Sequence, residues 1–114
     1  MFKIAKNRRI KWPVVISVPQ DGGAVQKQKI TAEFDILPAS AVDQLMQEAR
    51  SGDQDAALLF EVLVGWDDVS SEDGQPLDFS PEACKELVDI SYARNALLRA
   101  YFEAASGSAA ARKN

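Results

Sequence analysis

The sequence predicts an α+β fold, an N-terminal antiparallel β-hairpin followed by a mainly helical body of four helices. Three observations lead there. Apolar residues alternate with period two as far as residue 36, the period becomes helical after Pro38, and helix-start and helix-stop residues divide the rest of the chain. At 114 residues with 46% apolar content, the chain has room for one domain and a core of its own. The domain is expected over residues 1–107, with residues 108–114 a flexible tail of small and polar residues.

The hairpin is expected over about residues 9–36. Ile10, Trp12, Val14, Ile16 and Val18 share one parity, and Ile30, Ala32, Phe34 and Ile36 repeat the pattern after a turn at Asp21-Gly22-Gly23. A lone hairpin is marginal in water, so its apolar face must pack on the helices or on a second copy.

Helices are expected at about 40–51, 53–65, 80–90 and 91–106. Ser40 and Asp43 read as a capping box, and Val42, Leu45, Met46 and Ala49 form one face. Asp53 reads as the cap of the second helix, which is apolar nearly all round and is therefore expected to be the most buried. Trp66 to Phe79 form an acidic link. Ser80-Pro81-Glu82 opens the third helix, Ser91 caps the fourth, and Gly107 stops it.

Composition removes several function classes. No histidine occurs, so neither a His-activated nucleophile nor an imidazole metal site can form, and one cysteine, Cys84, cannot make an internal disulfide or hold zinc. Placing Gly74 at position 6 of an EF-hand loop puts Val69 at position 1 and Ser80 at position 12, which rules out that calcium site. Asp67 and Asp68 are adjacent and do not converge on one bond, so they read as a solvated loop rather than an acid–base pair. No catalytic residues, cofactor or metal are expected. The net charge of −4 divides into a basic arm, residues 1–35 with seven bases and three acids, and an acidic body over 36–106 with four bases and fourteen acids. That body is ill suited to nucleic acid. No apolar run is long enough to span a membrane, and the Trp12–Val18 run lacks the features of a secretory signal.

From Gly65 to Ala104 the chain reads GWDDVSSEDGQPLDFSPEACKELVDISYARNALLRAYFEA. An apolar helix ending in Gly-Trp, an acidic link with Gly-x-Pro-Leu, a Phe-Ser-x-Glu start and a last helix bearing Arg94, Leu97, Tyr101 and Phe102 resemble the tail assembly chaperones of long-tailed bacteriophages and prophages. The resemblance implies a non-catalytic protein of the bacterial host cytoplasm, absent from the mature virion. It implies binding to the tape-measure protein and recruitment of tail-tube subunits. Self-association stays open, as does a longer frameshifted form. The alternative reading, motivated by the hairpin edge, is a structural virion protein of the tail tube or head–tail connector. Expected partner-binding residues are Trp66, Asp67, Phe79, Tyr101 and Phe102. Phe79 doubles as a hydrophobic staple ahead of Ser80. Tyr101 and Phe102 point about 100° apart on a helix, so both cannot sit deepest in one core.

Overall fold

The computed structural model describes residues 1–4 and 8–110, and within these it is an α+β fold with a three-stranded antiparallel sheet and four helices. Part of the basic arm and the end of the tail, residues 5–7 and 111–114, lie outside the described residues. The hairpin forms as the alternation predicts: β1 (Arg8–Pro19) pairs with β2 (Val25–Ile36) from Arg8 opposite Ile36 to Pro19 opposite Val25. A short 3-10 turn joins them, and Gly22 (φ 87°) and Gly23 (φ 93°) take the left-handed backbone that favours glycine.

The sheet has a third strand that the sequence does not announce. The second helix stops at Val62 rather than running to 65, and Leu63–Asp67 forms β3 against β2 in the order β1-β2-β3. Thr31 faces Asp67, Ala32 faces Trp66 and Glu33 faces Gly65, with a bulge before Phe34 meets Leu63. A Cβ on Gly65 would lie 2.9 Å from Glu33 Oε1, so the missing side chain makes room for the Glu33 carboxylate over β3. Asp68, in the left-handed region at φ 69°, then turns the chain away from β2.

The helices are α1 (Ala39–Glu48), α2 (Gln54–Val62), α3 (Pro81–Val88) and α4 (Ser91–Ser106). Of the serine and aspartate caps that the sequence predicts, Ser80 alone works: its Oγ accepts from the Ala83 N–H at 3.1 Å. The Ser40–Asp43 capping box is absent, because Pro38 already supplies the extended cap residue and Ser40 lies inside the helix. Ile90 takes that place ahead of Ser91. Asp53 does occupy the cap position of α2, but its backbone (φ −104°, ψ 0°) is not extended and its carboxylate makes no cap bond. Gly107 (φ 77°) ends α4 as expected: the Ser108 and Gly107 N–H groups return to Glu103 and Ala104 carbonyls, a Schellman arrangement.

The helices cover the sheet face that carries Val14, Ile16, Ile30, Ala32 and Phe34, giving two layers around one core. Leu58, Leu59, Val62, Val88, Leu97 and Tyr101 fill it from the helical side. No residue of α1 is buried; Val42, Leu45 and Met46 lean on the core from its margin. The Trp12 indole N–H donates to Glu103 Oε1 at 3.3 Å, joining β1 to α4 across 91 positions of sequence.

Candidate functional site: an aromatic cleft

The second helix is less enclosed than its composition predicts. Leu58, Leu59 and Val62 are buried, but Phe60 keeps 47% of its surface exposed. Asp53, Ala57, Phe60 and Glu61 fall on one helical stripe, and that polar flank is the signal that marks Phe60 as outward-facing. Because the helix gives way to β3 after Val62, Val64 follows on a strand beside Phe60. Together they form one wall of a cleft of about 320 Å³.

The opposite wall is built by the start of α3. Phe79 precedes the Ser80 cap, Pro81 opens the helix, and Cys84 lies one turn on, its N–H donating to the Ser80 carbonyl at 2.8 Å. Arg9 and Lys85 are the charged residues lining this cleft, so an apolar trough has two basic groups at its edge. Burial pushes the Cys84 thiol up, which keeps it protonated and poorly nucleophilic.

Trp66 supports this cleft from behind. Its ring meets Phe79 edge-on with centroids 4.9 Å apart, and its N–H donates to the Leu77 carbonyl at 2.8 Å. The acidic link is thereby fastened down. It is also ordered within itself: Ser70 bridges Pro76, and Ser71 and Gln75 close a turn through Gly74 (φ 85°). The Ser71 hydroxyl donates to Asp73, and this bond, with the Gln75 N–H, holds the exposed Asp73 carboxyl below its ordinary range. Asp67 follows Trp66 on β3 and meets Lys11 at 3.6 Å in a solvent-exposed ion pair of little energetic weight.

Trp66, Asp67 and Phe79 therefore share one region, and Tyr101 and Phe102 occupy another. Tyr101 is 1% exposed: its ring packs edge-on to Phe34 at 5.5 Å and its hydroxyl accepts the Leu37 N–H at 3.3 Å. Burial is the main cause pushing its hydroxyl up, with the Leu37 bond pulling the other way. Phe102, 46% exposed, leans edge-on against Tyr101 beside a second hollow bounded by Leu37, Val42 and Ala105. Of these two residues expected to meet a partner, Phe102 is presented to solvent and Tyr101 is core.

Among the described residues, no three His, Cys, Asp or Glu side chains are grouped to hold a metal ion, and no helix is long and apolar enough to cross a membrane. No protein-family model, curated protein or solved structure matches the chain.

Proposed function

We propose that the protein is a phage tail assembly chaperone that holds apolar stripes of the tape-measure protein in the host cytoplasm during tail building and leaves before the particle is complete. The observation that carries this reading is the cleft itself. A half-exposed Phe60 and its neighbour Val64 face Phe79 across one apolar trough, an arrangement suited to receiving the apolar face of a helix. The run from Gly65 to Ala104 supports it from the sequence side, since its Gly-Trp, Phe-Ser-Pro-Glu and Tyr-Phe positions are those on which the family resemblance rests. Tail-tube subunits are the second partner class under this reading.

Co-expression with the tape-measure protein of the same phage tests it. The wild-type chain is expected to keep that protein soluble and to co-purify with it. Phe60→Glu, a change at an exposed position, is expected to abolish the complex while leaving the thermal midpoint within a few degrees. A tape-measure protein that stays insoluble, or a complex indifferent to Phe60→Glu, refutes the reading. Recovery of the chain as an abundant component of purified tails refutes it in favour of a structural subunit.

A further inference from the structure

The open half of β2 is a second surface, apart from the cleft. β3 pairs only with Thr31 to Phe34, because Asp68 diverts the chain, so among the described residues Val25–Ile30 has β1 on one side and no strand on the other. The direction of the unused backbone groups follows from β1. Pro13 lacks an N–H and is accommodated only with its nitrogen toward the outer edge, so the pair Pro13–Thr31 is of the non-hydrogen-bonded kind. Every second residue of β2 then points its N–H and C=O toward the β3 side. Thr31 and Glu33 meet β3 there, while the backbone groups of Val25, Lys27 and Lys29, all exposed residues, meet no strand on that side among the described residues.

A second copy is a poor occupant. Two-fold pairing centred on Lys27 sets Lys27 against itself, centring on Gln28 sets Lys27 against Lys29 twice, and centring on Lys29 sets Lys29 against itself. Like charges directly opposite destabilise a ladder. Registers nearer the tip run into the Asp21–Gly23 turn. Pairing with the outer edge of β1 meets Pro13 and Pro19, which cannot donate, and α4 alongside. The lysines that repel a copy attract the opposite charge.

We infer that the Val25–Ile30 edge accepts an extended acidic segment of another protein as a fourth, antiparallel strand, with carboxylates opposite Lys27 and Lys29. The added strand lies in line with β3. Its alternate residues bond to the backbone of Lys27 and Lys29 and place acidic side chains beside the two ammonium groups, while the intervening residue sits next to Gln28 on the other face. This surface is separate from the aromatic cleft, so it stands or falls independently of it.

The test uses the full chain and a capped peptide Thr-Val-Glu-Thr-Glu-Val-Thr, followed by amide hydrogen exchange. At saturating peptide the Val25, Lys27 and Lys29 amides are expected to slow at least tenfold. The same peptide N-methylated at both glutamates is expected to lose binding, and the peptide with lysine for glutamate to bind only the Lys27→Glu, Lys29→Glu double variant. Both lysines are exposed, so a thermal melt unchanged by the double substitution verifies its fold. The inference is overturned by unslowed amides at millimolar peptide, by equal binding of the N-methylated form, or by a dimer that buries this edge.

Discussion

Tyr101 and Phe102 are neighbours in sequence with opposite environments, and truncating each in turn separates a core role from a surface one. Tyr101 is closed in by Phe34 and Phe102, so Tyr101→Ala leaves a cavity that the sheet cannot fill. Aromatic-to-alanine changes at closed sites cost about 3–5 kcal/mol. A domain of this class has only about 5–15 kcal/mol in total, so a large share of the stability goes. Phe102 has surrendered roughly half its surface to the protein, which is worth about 1 kcal/mol. Its edge contact with Tyr101 adds about 0.5–1.5 kcal/mol, and alanine returns about 0.5 kcal/mol as the better helix former. Phe102→Ala should therefore cost about 1–2 kcal/mol. Tyr101→Phe removes the acceptor of the Leu37 N–H and should cost about 1 kcal/mol. Urea unfolding followed by tryptophan fluorescence measures all three, with a constant denaturant slope required for the comparison. If Phe102→Ala proves as damaging as Tyr101→Ala, the assignment of one ring to the core and the other to the surface is wrong.

Two further expectations concern the helix cap and the buried thiol and phenol. Ser80→Ala should destabilise by about 1 kcal/mol by freeing the Ala83 N–H, whereas Ser91→Ala and Asp53→Ala, where no cap bond exists, should stay within about 0.5 kcal/mol by the same denaturation assay. Stability should also fall in alkali. Burial holds Cys84 and Tyr101 neutral in the folded chain beyond their ordinary values of 9.0 and 10.0, so the unfolded chain releases those protons first. The neutral forms carry no penalty below about pH 9, and stability is lost as pH rises from the ordinary values through the higher folded ones. A urea midpoint that rises between pH 8 and 10.5 contradicts this.

The hairpin is legible in the sequence because a half-buried strand must alternate, as the runs Ile10–Val18 and Ile30–Ile36 do on either side of the glycine turn. α3 is legible because serine, proline and glutamate each do a distinct job at a helix start. β3 is hidden by continuity: Leu63 and Val64 prolong an apolar run that suits a buried helix or a buried strand equally, and only pairing with β2 decides between them. Reading Gly65 as a helix stop has the same origin; its place opposite Glu33 is a tertiary fact. The cleft escapes sequence reasoning for a related reason. Phe60 looks central in a helix that is apolar nearly all round, and becomes a wall of the cleft only when the helix ends early enough to bring Val64 beside it. Trp66 and Phe79 are recognisable as a pair flanking the link, and their mutual packing follows from that link folding back on itself.

The indole–carboxylate tie between β1 and α4 bears on synthesis. β1 leaves the ribosome well before α4, which roofs its apolar face, and translation covers the 91 positions between Trp12 and Glu103 in roughly 5 to 20 seconds. Throughout that interval Val14 and Ile16 have no permanent shelter. Ribosome-bound chains stalled before α4 should therefore remain open to protease, and protection should arrive abruptly once Tyr101 is free to reach Phe34. A domain whose beginning is completed by its end matures all at once or not at all.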